Sequence, residues 1–86
     1  MGSKPQKRPK RLARKLRLIR EREVVTQEVM ALRLRQHGAE KATHSGYVAD
    51  FENERRIPSL LTLLAYARIA KVSTDCLIDD GLDLNV

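Results

Sequence analysis

The sequence predicts an all-α fold of five helices, and three observations carry that prediction. Apolar residues recur at helical spacing through most of the chain. Capping residues and glycine or proline stops punctuate the pattern. No stretch alternates apolar and polar residues as a half-buried strand would. With 86 residues there is room for a single core. Aromatics make up only 3 % of the chain, so that core is expected to be built from Leu, Ile, Val and Ala.

Residues 1–8 (MGSKPQKR) read as a flexible basic arm, with Met-Gly-Ser resembling an expression remnant. The first helix is expected over 9–23. Pro9 suits a first turn, and Leu12, Leu16 and Ile19 fall at i, i+4 and i+7, with basic residues covering the other faces. Val24-Val25 connects to Thr26, a good N-cap, followed by Gln27 and Glu28, where a carboxylate favours the start of a helix. Helix 2 turns Met30, Ala31 and Leu34 inward and stops at His37-Gly38. Residues 39–42 read as a loop. Helix 3 follows over 44–53, capped by Thr43, His44 or Ser45, with Val48 and Phe51 inside and Tyr47 at the edge. Gly46 weakens it by ~1 kcal/mol relative to Ala. Residues 54–57 form a polar turn, and Pro58-Ser59 opens helix 4, which is strongly apolar through Leu60, Leu63, Leu64 and Ala67 and closes at Lys71. A short helix 5 covers 74–78 with Leu77 inside. The organisation expected is a basic arm (1–8), a helical domain (9–78) and an acidic tail (79–86).

Charge is distributed very unevenly. The net charge is +6 and the isoelectric point about 10.0. Ten of the 17 Lys and Arg residues fall within residues 1–22, against Glu21 alone, whereas the rest of the chain is net acidic. Asp75, Asp79, Asp80 and Asp83 close the chain without a nearby cation. A basic segment of this density suits a polyanion, and the acidic end is expected to screen it when no polyanion is bound. Cys76 is the only cysteine, which fits a reducing compartment; with no signal peptide and no run long enough to span a bilayer, a cytoplasmic location without membrane attachment is expected.

The order of parts resembles the lambda-repressor-like (Cro/cI-type, XRE) helix-turn-helix family. The residues that carry the resemblance are LIRERE at 18–23, Thr26-Gln27-Glu28, Tyr47 through Asn53, Arg56-Ile57-Pro58-Ser59-Leu60, Leu63 through Ala67 and Val72 through Ile78. Together they span roughly residues 10–78. The resemblance implies a five-helix DNA-binding domain in which helix 3 enters the major groove and helix 2 crosses the backbone. It places Gln27 on a phosphate, His44, Ser45 and Gly46 against base edges with Asp50 one turn on, and Asn53, Arg55 and Arg56 near the phosphate backbone. It also pairs the inward Glu52 with Arg20 on helix 1, a structural ion pair. Lys7 and Arg8 of the arm would add contacts in a neighbouring groove.

Two features depart from the family pattern. The chain carries several extra residues around 35–41, so that helix 2 and the turn before helix 3 are elongated, bringing Arg33, Arg35 and Lys41 into play as further backbone contacts. Helix 3 is also poor in cations. Asp50 would repel phosphate, although it could accept from cytosine N4.

The function implied is that of a sequence-specific, duplex-DNA-binding transcriptional regulator, not an enzyme, with no cofactor. A homodimer is the natural assembly for a two-fold operator. The alternative is a protein-interaction module, such as the antitoxin component of a toxin–antitoxin pair, suggested by the acidic tail and by apolar Leu61 and Ile69. His37 and His44 read as polar or capping residues, since no second Cys completes a metal set. Asp50, Glu52 and Glu54 lack the partner base that paired catalytic carboxylates would need.

Overall fold

The computed structural model describes residues 9–84. Within them the chain forms five helices and no strand: α1 (Leu12–Arg22), α2 (Gln27–Gln36), α3 (Ser45–Glu52), α4 (Leu60–Ala70) and α5 (Thr74–Ile78). Thr26 and Ser59 cap α2 and α4 by accepting from the amides of Val29 and Thr62, which satisfies donors that a helix start leaves orphaned. α1 begins later than Pro9 suggests, after a turn at residues 10 and 11.

α2 and α3 pack against each other, α1 crosses α3, α4 and α5, and α4 backs α1, α2 and α5. Leu12, Leu16 and Ile19 of α1, Met30, Ala31 and Leu34 of α2, Val48 and Phe51 of α3, and Leu77 of α5 meet in one core. The core expected from Leu, Ile, Val and Ala, with Phe51 of α3, also takes in a second aromatic residue. Tyr66 is fully buried at its centre, and Phe51 meets it edge-on at 6.4 Å between ring centroids. The apolar residues of α4 divide between core and surface. Thr62, Leu63, Ala65, Tyr66, Ala67 and Ala70 are buried, while Leu64 and Leu60 are not, and Leu60 is 80 % exposed. α4 is apolar on every side, so spacing alone does not select a face. The small Ala65, Ala67 and Ala70 allow close approach around the large ring of Tyr66, and the Leu60 face is left outward. Leu61 is exposed, whereas Ile69 packs against the core.

Each of α1 to α4 ends on a left-handed residue: Val24 (φ 55°), Gly38 (φ 110°), Glu54 (φ 62°) and Lys71 (φ 59°). After α1, α2 and α4 the closing amides bond as in a Schellman turn. Ala39 N donates to Leu34 O at 2.9 Å and Val72 N to Ala67 O at 3.0 Å. Glycine is the usual residue at such a position, and Val24 is the most strained choice, since a left-handed L-residue costs roughly 1–2 kcal/mol. Its side chain is 87 % exposed and contributes little packing. Val24→Gly is therefore expected to stabilise the fold by about 1 kcal/mol, after the extra freedom glycine gives the unfolded chain is deducted. The urea midpoint measures this directly, and an unchanged or lower midpoint would show that the left-handed turn carries no strain.

The extra residues before α3 form a fastened loop and do not extend α2, which stops at Gln36. Ala39 and Thr43 are buried. Arg35 donates to the Thr43 carbonyl, and Arg68 Nη1 donates to His37 O at 3.2 Å. Glu40 reaches the start of α4, where its carboxylate accepts from the hydroxyls of Ser59 and Thr62. The Ser59 hydroxyl, the larger influence, and then Thr62 hold the Glu40 carboxyl below its ordinary range. The loop thus ties the α2–α3 pair to α4.

Candidate nucleic-acid interface

α3 turns Val48 and Phe51 inward and presents the opposite strip. Ser45, Gly46 and Asn53 are exposed, and Ala49 and Asp50 are half-buried between them. The C-terminal end of the helix is anchored from below. Arg20 grips Glu52 with two bonds, Nε to Oε2 at 2.7 Å and Nη2 to Oε1 at 3.0 Å. Gln27 donates to Glu52 Oε1 at 3.2 Å, and Arg20 also reaches the Val25 carbonyl at 3.1 Å. The side chains of Glu52 and Arg20 are 4 % and 17 % exposed, so the pair joins α1, the first turn of α2 and α3 in a water-poor setting. The Glu52 bond raises the Arg20 pKa despite the opposing effect of burial. Next to this pair the Tyr66 hydroxyl is buried with no hydrogen-bond partner among the described residues, and burial pushes its pKa up.

The N-terminal end of α3 is built from side chains. His44 is its cap: Nδ1 accepts from the Gly46 amide at 3.0 Å. The imidazole lies 4.3 Å from the Tyr47 ring. The Arg56 guanidinium sits 4.0 Å from the centroid of the Tyr47 ring and 3.8 Å from Asp50. A cation over an aromatic face contributes about 0.5–1 kcal/mol at an exposed site. His44, Tyr47, Arg56 and Asp50 therefore form one continuous surface that fixes the turn after α3 against its first turn.

Cations flank this strip. On α1, Lys10, Arg14 and Arg17 border an open cleft of about 370 Å³ that is closed on the other side by Asn53 and Glu54. Arg17 is shared with Glu21 at 3.3 Å, whereas the side chains of Lys10, Arg14 and Arg55 are not held by an ion pair among the described residues. Of the candidate backbone contacts in the elongated turn, Arg33 is paired with Glu23 at 2.8 Å and Arg35 is bound to Thr43, which leaves Lys41 exposed.

The acidic end of the chain lies against the start of α1. The Asp80 carboxylate accepts from the amides of Lys10 and Arg11 at 2.9 and 3.0 Å, fastening the turn that leads into α1 to the far end of the sequence. Arg11 also bonds the Asp80 carbonyl and pairs with Asp83. Lys15, 2 % exposed, is driven beneath this segment and donates to the carbonyls of Cys76 (2.7 Å) and Asp79 (2.9 Å). The Arg11 and Lys10 amides hold the Asp80 carboxyl below its usual range, and the Arg11 side chain does the same for Asp83. A carboxyl with a depressed folded-state pKa stabilises the fold above its unfolded pKa of ~3.9 and loses that contribution as pH falls through the folded value. Acidification below about pH 4 is thus expected to release this segment. The NMR signals of the Lys10 and Arg11 amides report it, and Asp80→Asn should remove most of the pH-dependent shift. An unchanged titration in that variant would sink the assignment.

The structure thus brings His44, Asp50 and Arg56 together around Tyr47, places exposed Ser45 and Gly46 beside them, and sets Gln27 with Arg20 and Glu52 beneath. Asn53 turns its side-chain amide back to the Ala49 carbonyl at 2.8 Å, and Arg55 stands exposed beyond it. Lys7 and Arg8 lie outside the described residues. Sequence reasoning missed Tyr47 as the platform between His44 and Arg56. It also treated Lys10, Arg14 and Arg17 only as a basic face, although their i, i+4, i+7 spacing puts them in one row. No group of three or more metal-ligating side chains occurs among the described residues, and no described helix is long and apolar enough to cross a membrane. Compared with models of known families, with curated proteins and with solved structures, the chain matches none.

Proposed function

We propose that the protein is a transcriptional regulator that lays α3 into the major groove of duplex DNA. His44, Ser45, Gly46 and Asp50 would face base edges, while Arg55 and Arg56 would meet phosphates; Gln27, bonded to Glu52, and Asn53, bonded to the Ala49 carbonyl, would reach phosphates only by releasing those partners. The observation that carries this reading is the exposed strip of α3, held from beneath by the Arg20–Glu52 pair and bordered by cations on α1 and in the turn after α3. Short polar side chains on a rigid helix suit base edges, and unpaired cations beside them suit the phosphate backbone. Arg56 stands close enough to Asp50 to offset its repulsion of phosphate. Lys7 and Arg8 would extend the grip into a neighbouring groove. No cofactor and no catalytic step is involved, and a homodimer would match a two-fold operator.

Titration of mixed-sequence duplex at several salt concentrations, with the His44/Ser45/Asp50 triple alanine variant alongside, tests the proposal. Binding is expected to weaken steeply with salt, with a slope of about −0.9 per phosphate contacted, and a high-affinity subset of sequences should be lost in the variant. Absence of binding even at low salt would refute it.

A second reading, a protein-interaction module of the antitoxin kind, is favoured by one observation. An apolar groove of about 350 Å³ runs between Pro9, Leu12, Ile57, Leu60, Leu63 and Ile78. Co-purification of a defined protein that protects Leu60 and Ile57 from solvent would favour it.

A further inference from the structure

We infer that His44 acts as a hydrogen-bond donor of fixed tautomer, which selects a guanine edge at one position of the duplex; the inference rests on the major-groove function proposed above. The Nδ1 atom of His44 accepts from the Gly46 amide at 3.0 Å. A neutral imidazole carries one proton, so with Nδ1 committed as an acceptor the proton sits on Nε2. Nε2 has no partner among the described residues, and His44 is exposed. The polar atom left to a ligand is therefore a donor only.

Two further contacts hold the ring in place. Tyr47 lies against it at 4.3 Å between centroids, and Arg56 in turn covers Tyr47 at 4.0 Å. Gly46 provides the space. A Cβ at that position would come within 2.8 Å of His44 Cε1, closer than real Cβ contacts come, and within a tight 3.0 Å of Nδ1. The glycine in the first turn of α3, costly to a helix in isolation, is what lets the imidazole lie over the Gly46 amide.

In the major groove, guanine offers two acceptors, N7 and O6, with no donor. Thymine offers a single acceptor, O4, beside its methyl group, cytosine offers only the N4 donor, and adenine sets its N7 beside the N6 donor. A donor-only group at the start of α3 matches guanine best and cytosine worst. A single hydrogen bond of this kind discriminates by about fivefold.

The test selects binding sites from a randomised duplex pool with the wild-type chain, with His44→Asp and with Gly46→Ala. Asp is as good an N-cap as any residue, so His44→Asp keeps the cap and replaces the free donor with an acceptor. Gly46→Ala keeps the imidazole and displaces it, and circular-dichroism melts confirm that both variants are folded. Wild type is expected to enrich guanine at one position by about fivefold over cytosine. Both variants should lose that enrichment while retaining preferences at other positions. Equal enrichment in all three proteins, cytosine at that position in the wild type, or salt-dependent binding with no base preference would overturn the role of His44 and leave duplex binding intact. No binding of any duplex would overturn the proposed function itself.

Discussion

Arg20→Met is expected to cost about 3–5 kcal/mol of folding stability, because it strands a buried carboxylate. Glu52 is 4 % exposed and takes two bonds from Arg20, leaving only the Gln27 amide at 3.2 Å if the guanidinium is removed. The loss should be asymmetric. Arg20 is the more exposed member, so Glu52→Gln, which keeps a neutral acceptor in place, should cost about 1–2 kcal/mol, close to the value of an ordinary hydrogen bond. The double variant Arg20→Met, Glu52→Met removes both charges and should recover much of the loss, since buried ion pairs are frequently replaceable by apolar groups. Urea titrations of the single and double variants measure all of this. A single-variant loss below about 1 kcal/mol would place the pair among ordinary surface ion pairs and remove the anchor assigned to α3.

The second large effect is expected at Lys15. Its ammonium is nearly inaccessible, bonded to the carbonyls of Cys76 and Asp79, and close enough to Asp80 and Asp83 to favour their charged forms. Met fills a similar volume but has no proton to donate. Removing the ammonium also removes the cost of burying it, and that gain opposes the loss. The balance still falls on the side of loss, because two part-buried carbonyls at the end of α5 are left without their donor and hydrogen bonds to a charged group contribute about 1.5–3 kcal/mol each. Lys15→Met is thus expected to destabilise by about 2–3 kcal/mol and to speed hydrogen exchange in α5. Lys15→Arg keeps the charge but cannot place a planar fork where a compact ammonium sat, so it should rescue only in part. A Lys15→Met protein within 0.5 kcal/mol of wild type would be at odds with the capping role.

Lys15 also shows what a sequence reading can and cannot recover. Leu12, Leu16 and Ile19 mark the buried stripe of α1 by their spacing. Lys15 falls at i+3 from Leu12 and i+4 before Ile19, inside the same stripe. Residue type argues for solvent and position argues for the core, and only the carbonyls at the end of α5 decide between them. The helix starts at Thr26 and Ser59 are legible because capping is local. The inward face of α4 is not, because apolar residues surround it and its partners on α1 and α2 choose Thr62, Leu63, Tyr66 and Ala70. Three of the four left-handed turns are equally hidden, since Val24, Glu54 and Lys71 carry none of the signal that Gly38 does. Among the candidate interface residues, the exposed positions on α3 follow from helical periodicity. The stack of His44, Tyr47 and Arg56 depends on how the turn after α3 folds back.

The meeting of Asp80 with the amides of Lys10 and Arg11 has a consequence for how the molecule opens. In most small domains the two termini fray independently. Here the turn leading into α1 depends on a carboxylate contributed by residue 80, and the end of α5 depends on an ammonium contributed by residue 15. Neither end can loosen without withdrawing a bonding partner from the other. The two extremities of the described chain are thus expected to open as one cooperative unit of local unfolding, in which the turn before α1 and the α5 end exchange their amide protons together while the α2–α3–α4 assembly stays closed.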